Sequence, residues 1–294
     1  MMEINFTKMN GAGNDFVVIN NFDGTLNVDL PALTQAVCAR GFGIGADGTL
    51  FLQKSPAKLD ADFEMYYLNS DGSEGGMCGN GGRCIARFAV LNGICKPQMQ
   101  FIAHDHKYSA EVFDAEKVRL HFPVPEEIVP SKKVPVDEEL LDVTYVHPNT
   151  DHTILTSGTG FEKVDSADLI TLARKIRYNF GIFPRGTNVN IIQQIGENRI
   201  RMRTYERGVE SETLACGTGA VASAITAALR YEMKSPVEIL ATSRETLTVS
   251  FEKNGLQFSN LVLEGSARIA FHGKILYDEK KHKILDFLNG QGKI

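Results

Sequence analysis

Apolar positions along the chain switch between a two-residue and a three-to-four-residue period, and each switch predicts an element. "EINFTKM", from Glu3, reads as a strand, the Gly-rich "NGAGND" as a turn, and "FVVIN" as a short buried strand. "LPALTQAVCARGFGIGADG" predicts a helix from about Leu33 to Arg40 and then a loop with four glycines. "FEMYYLNSDGSE" predicts a strand closing in a turn. From Gly81, "GGRCIARFAVLNGI" sets Cys84, Ile85, Phe88, Ala89 and Leu91 at helical spacing. Residues 99–122 read as paired strands, and "RIRMR" at 199–203 as a half-exposed strand with a solvated basic face. "FPVPEEIVPSKKVPVDEE", from Phe122, carries four prolines and a charge cluster and reads as a linker.

The second half echoes the first. "SEGGMCGNG" at 73–81 and "SETLACGTG" at 211–219 share Ser, Glu, Cys, Gly and Gly at a constant offset of 138 positions. "FGI" at 42–44 and 180–182 keeps the same register. The pattern implies two halves built alike, each with a Cys-Gly-x-Gly turn leading into a helix. After Gly219 the segment "AVASAITAALRYEM" is apolar on nearly every side, as an enclosed helix is. Helices enclosed by short strands favour an α+β fold over a doubly wound sheet.

Composition narrows the functional classes. A chain of 294 residues accommodates one large domain or two of about 150. A net charge of −5 gives no electrostatic reason to expect nucleic acid or an anionic membrane as partner. The longest apolar run, 220–229, is about half of what a bilayer requires. The N-terminal stretch lacks a basic-then-apolar export pattern. Five cysteines in that setting point to reduced thiols, and the expectation is a soluble cytoplasmic protein.

The cysteines then divide by context. No CxxC pair occurs, and "HDH" at 104–106 has no cysteine partner nearby, so no metal site is expected. No phosphate-loop pattern is complete either. Cys38, Cys84 and Cys95 sit at apolar helical positions, as small core hydrophobes do. Cys78 and Cys216 instead precede glycines at the start of a helix. Unsatisfied N–H groups and the helix dipole there favour a thiolate, and the same N–H groups can cradle a carboxylate. Two such turns, one per half, suit inversion of a carbon next to a carboxylate. One thiolate removes the α-proton, a thiol delivers a proton to the opposite face, and no cofactor is needed. Fixed N–H donors would stabilise the enolate-like intermediate.

With these residues in hand, the sequence resembles the diaminopimelate epimerase family. "KMNGAGNDFVV", "GFGIGADG", "NSDGSEGGMCGNGGRC", "TNVN", "YERG" and "ETLACGTGA" occur in the family's order across the chain. The resemblance implies two similar α+β domains, each a curled, mostly antiparallel sheet around a central helix, pseudo-twofold related with a cleft between them. It places the domains at 1–122 plus 270–294 and at 123–269. It assigns acid/base roles to Cys78 and Cys216, and gives the α-carboxylate to Gly79, Asn80, Gly217 and Thr218. Asn14, Asn69, Asn188, Glu206 and Arg207 match substrate-binding positions, with Arg207 on the distal carboxylate, and His152 with Glu206 matches a supporting polar pair. It further implies an amino-acid substrate, a role in lysine and peptidoglycan precursor synthesis, and a homodimer. Read alone, Asn14 and Asn69 also fit turn residues, and Arg207 a surface ion pair. Where the family often has Gly-Asn-Pro-His, this chain has Asn149-Thr150-Asp151-His152, so Thr150 replaces a substrate-binding Asn unless Asn149 substitutes. Gly48 stands where some members carry Gln, and "RGVESETLACG" is one residue longer than the shorter family form. These departures bear on the distal end, which leaves racemisation of proline, histidine or glutamate as the alternative activity. A non-catalytic ligand-binding protein would not need two matched thiols.

Overall fold

The computed structural model describes residues 1–56 and 58–285, so 286–294, assigned above to the first domain, lie outside the described residues. The chain divides into two compact units. One comprises Met1–Val118 and the described residues from Ser266 onward; the other is Arg119–Gly265.

The first unit begins with β1 (Met2–Gly11), β2 (Asn14–Asn21), α1 (Leu30–Cys38), β3 (Gly48–Gln53), β4 (Phe63–Asn69), α2 (Gly79–Leu91), β5 (Gln98–Ala103) and β6 (His106–Val112). Helix α1 starts three residues earlier than the apolar period predicts. Asp29 caps it, accepting from Ala32 N at 3.0 Å, and a proline opens its first turn. It stops at Cys38 because Ala39 is extended. Cys95 lies beyond α2 in a half-buried turn, not on the helix that the sequence suggested.

β7 (Val118–Phe122) leads into the second unit: β8 (Glu127–Val136), β9 (Glu139–His147), β10 (His152–Thr156), α3 (Leu169–Arg177), β11 (Asn188–Gly196), β12 (Arg199–Glu206), β13 (Ser211–Thr213), α4 (Gly217–Arg230), β14 (Val237–Leu240), β15 (Thr246–Asn254) and β16 (Gln257–Gly265). The expected linker is largely β8. It pairs antiparallel with β9, and Pro130 falls in the register shift between Val129 and Lys132, where a missing N–H costs no ladder bond. The basic face expected for "RIRMR" is solvated only at Arg199. Arg201 is buried and donates to Asp165 at 2.9 Å, and Arg203 grips Glu212. The chain then returns to the first unit through β17 (Arg268–Asp278) and β18 (Lys283–Leu285).

Strand pairing repeats between the units. The order β17–β1–β2–β3–β4–β5–β6 runs antiparallel, antiparallel, parallel, antiparallel, parallel, antiparallel. The order β8–β9–β10–β11–β12–β14–β15 gives the same sequence of pairings. Each parallel step needs a crossover, and helices α1, α2, α3 and α4 supply them.

Alternating strand residues give each sheet two apolar faces. Ile4, Phe6, Val17, Ile19 and Phe51 pack with Leu33 and Val37 of α1. Val189, Ile191 and Tyr205 pack with Leu169, Ala173 and Ile176 of α3. The other helix of each unit is enclosed. Residues 79–86 of α2 and 217–228 of α4 are all buried, which only small or apolar side chains and a few saturated polar ones permit.

Candidate active site

The two Cys-Gly-x-Gly turns fold alike. Cys78 is the N-cap of α2 with extended backbone, and its Sγ accepts from Gly81 N at 3.4 Å. Cys216 is the N-cap of α4, and its Sγ accepts from Gly219 N at 3.4 Å. The helices therefore begin at Gly79 and Gly217, two residues before the apolar spacing alone places α2. No intrahelical carbonyl can reach the N–H groups of Gly79, Asn80, Gly217 and Thr218, the opening residues of each first turn. Cys216 is buried and Cys78 half-buried.

Around Cys78 the amides form a directed chain. Arg83, fully buried, donates to Asn80 Oδ1 at 2.8 Å, to Gly79 O at 3.1 Å and to Ser266 O at 3.2 Å. Asn80 Nδ2 donates to Asn14 Oδ1, and Asn14 Nδ2 donates to Asp47 Oδ2 at 3.1 Å. A donor-only guanidinium at one end and a carboxylate at the other fix both amide orientations. Asn69 holds the turn that follows β4, with Nδ2 donating to Ser73 Oγ at 3.1 Å and its N–H to Ser73 O at 2.9 Å. Gly48 could not become Gln on this backbone. A Cβ there would lie 2.5 Å from the Tyr67 ring and 2.5 Å from Leu68 O, so Tyr67 fills that space.

Around Cys216 the corresponding pair is Thr218 and His152, which stand 138 positions after Asn80 and Asn14. His152 Nδ1 lies 2.8 Å from Asn190 Oδ1 and Nε2 lies 2.9 Å from Thr218 Oγ1. Asn190 Nδ2 donates to Thr204 Oγ1 at 2.7 Å, so its Oδ1 is the acceptor and His152 carries its proton on Nδ1. Nε2 then accepts the Thr218 hydroxyl proton, and Thr218 Oγ1 can accept from the Cys216 thiol 3.5 Å away. Burial outweighs the Asn190 bond and lowers the His152 pKa to about 4, so the imidazole is neutral near pH 7.

At the far end of β12, Asn188 Oδ1 accepts from Arg207 N at 2.8 Å and its Nδ2 donates to Asp151 O at 2.9 Å. Arg207 Nη1 donates to Asp151 Oδ2 at 3.0 Å, and Nη2 to Thr150 Oγ1 at 2.9 Å. Arg185 also grips Asp151, through Nε at 3.2 Å and Nη2 at 2.9 Å. Glu206 is half-buried at the end of β12, where its carbonyl accepts from Glu210 N at 2.8 Å.

Asp151, Arg185, Asn190 and Arg83 were not singled out by sequence reasoning. A signal existed for Asn190, because residues two apart on a strand share a face and Asn188 was already marked. Asp151 lies in the stretch that departs from Gly-Asn-Pro-His, but nothing local links it to Arg185, and the two meet only through the fold.

Solved structures share this fold. A hydroxyproline epimerase from Agrobacterium vitis, with bound trans-4-OH-L-proline, matches with a TM-score of 0.69 at 15% identity, covering 100% of this chain and 95% of that one. A phenazine biosynthesis protein of the PhzF family from Bacillus anthracis matches with a TM-score of 0.67 at 14% identity, covering 94% and 100%. The class is thus the α+β fold common to these epimerases and phenazine-biosynthesis proteins. A family model described as diaminopimelate epimerase matches residues 6–118 and 160–270. Curated diaminopimelate epimerases are similar over most of their length. That of Aquifex aeolicus is 39% identical, covering 92% of this chain and 97% of the relative. That of Chlorobaculum tepidum is 40% identical, covering 91% and 99%. The chain belongs to the diaminopimelate epimerase family.

Proposed function

We propose that this chain epimerises 2,6-diaminopimelate at one α-carbon, interconverting the LL and meso forms without a cofactor, with Cys78 and Cys216 as its two acid/base groups. The observation that carries this reading is the pair of matching first turns, each with a cysteine Sγ 3.4 Å from a backbone N–H. Family membership supplies the substrate.

In one direction a thiolate takes the α-proton and becomes a thiol, and the electron pair left on carbon delocalises into the α-carboxylate. The opposite thiol then gives its proton to the other face of the carbon and becomes the thiolate. The N–H groups of Gly79, Asn80, Gly217 and Thr218 hold the carboxylate as its charge grows. Arg207 takes the distal carboxylate, Asn14, Asn69, Asn188 and Glu206 orient the substrate, and His152 supports Cys216 through Thr218. The reading extends to two epimerase domains, a cytoplasmic homodimer, and a product feeding lysine and peptidoglycan precursor synthesis. Sedimentation at micromolar concentration tests the dimer.

The test of the activity is α-deuterium incorporation from D₂O with LL-diaminopimelate, run beside proline, histidine and glutamate. Cys78→Ala and Cys216→Ala should each lose activity by about 10²–10⁴-fold. Wild-type rates in either variant, or turnover of another amino acid in preference, would refute it.

A further inference from the structure

Two of the positions at which this chain departs from Gly-Asn-Pro-His converge on one side chain. Thr150 Oγ1 accepts from Arg207 Nη2 at 2.9 Å, and Asp151 Oδ2 accepts from Arg207 Nη1 at 3.0 Å. Asp151 is an internal carboxylate on the guanidinium that is read above as the holder of the substrate's distal carboxylate.

Asp151 does not simply cancel Arg207. Its side chain is 8% exposed, and Arg185 and Tyr145 saturate it as well, the tyrosine hydroxyl donating to Oδ1 at 2.6 Å. Burial alone would raise its pKa, but the donors and charges of Arg185 and Arg207 prevail and hold it at about 2. The group of Arg185, Asp151 and Arg207 thus carries one net positive charge.

The geometry also leaves one edge of Arg207 open. Nη1 is taken by Asp151 and by the carbonyls of Arg185 and Gly186, at 3.0 and 3.3 Å. Nε makes no hydrogen bond among the described residues, and Nη2 has a second hydrogen to give. Nε with Nη2 is the fork by which other arginines of this unit take a carboxylate. Arg177 uses it on Glu210, at 3.2 and 2.7 Å, and Arg203 on Glu212, at 2.8 and 2.6 Å.

We propose that Asp151 is a specificity-determining residue of the distal subsite: paired with Arg185, it pins the Nη1 side of Arg207 and leaves a singly positive group whose Nε/Nη2 fork accepts one substrate carboxylate. Arg185 is then a positioning residue whose charge offsets Asp151. This rests on the reading of Arg207 as the distal-carboxylate residue.

The experiment is steady-state kinetics with LL-diaminopimelate for wild type, Arg185→Lys, Arg185→Gln, and Arg185→Gln combined with Asp151→Asn. Arg185 is 67% exposed, so its variants test the idea even if those at buried Asp151 fail to fold. In Arg185→Gln, Asp151 neutralises Arg207, and KM should rise about tenfold with kcat retained. Arg185→Lys keeps the charge and should stay within about threefold of wild type, and the double variant should return toward wild-type KM. Arg185→Gln at the wild-type KM in an active enzyme, or a folded double variant worse than Arg185→Gln, would overturn the proposal alone. A wild-type enzyme that leaves diaminopimelate unchanged would overturn the substrate reading and this proposal with it.

Discussion

Asn190 Nδ2 lies 2.6 Å from the point that a Cβ on Gly219 would occupy, and Cys216 Sγ lies 3.2 Å from the same point. The amide that fixes the His152 tautomer therefore packs directly on the first turn of α4. Gly219→Ala should displace Asn190 or the thiol, costing about 1–3 kcal/mol and most of the activity. Gly81→Ala should be milder, because the nearest atom to its new methyl is Leu50 Cδ2, a side-chain end that can give, at 3.2 Å. Melting temperature and turnover of the two variants side by side check the difference in severity.

His152 makes stability depend on acid. The unfolded imidazole takes a proton near 6.5 and the native one near 4. Between those values the unfolded state binds more protons, so the stability present above pH 6.5 is lost as pH falls toward 4. The full effect is roughly 3 kcal/mol. Urea melts from pH 7 to 4 should show this slope in wild type and a flatter one in His152→Gln. Asp151 titrates lower, between 3.8 and about 2, so its contribution does not overlap.

Thiol reagents should separate the cysteines. Burial pushes Cys84 up to about 12 and Cys38 up to about 11, so neither supplies thiolate near neutral pH. Brief iodoacetamide treatment at pH 7.5, followed by peptide mass spectrometry, should leave Cys38 and Cys84 unlabelled while Cys78 is modified. Labelling of Cys84 ahead of Cys78 would contradict the packing of α2.

Arg83 is the buried cation that orders the Cys78 turn. Arg83→Met would remove the side-chain donors that reach Gly79 O, Asn80 Oδ1 and Ser266 O, and stability should fall by on the order of 3 kcal/mol. Arg83→Lys returns one charged donor and should recover part of the loss. Chemical denaturation of the three proteins measures this.

The cysteine turns were legible because they are local: a Cys-Gly-x-Gly string entering an apolar run specifies a capped helix, and its recurrence reveals the duplication. The start of α1 was also written in Asp29 and the proline after Leu30, although apolar spacing masked it. Other features depend on partners distant in sequence. Prolines in β8 suggested a linker because the bulge that absorbs Pro130 exists only once β9 is paired. Arg201 looked solvated until Asp165, 36 positions away, came to meet it. Asp151 and Arg185 stand 34 positions apart and form a pair only because β10 and β11 lie side by side.

The pairing of β1 with β17, from Met2 opposite Tyr277 to Asn10 opposite Arg268, governs the order in which the newborn chain can assemble. The second unit is one uninterrupted stretch and can condense as soon as it leaves the ribosome. The first cannot close until β17, which follows the whole of the second unit, has been made. During that interval β1 has β2 on one side and a bare row of amide and carbonyl groups on the other, an opening where a chaperone or a wrong strand could intervene.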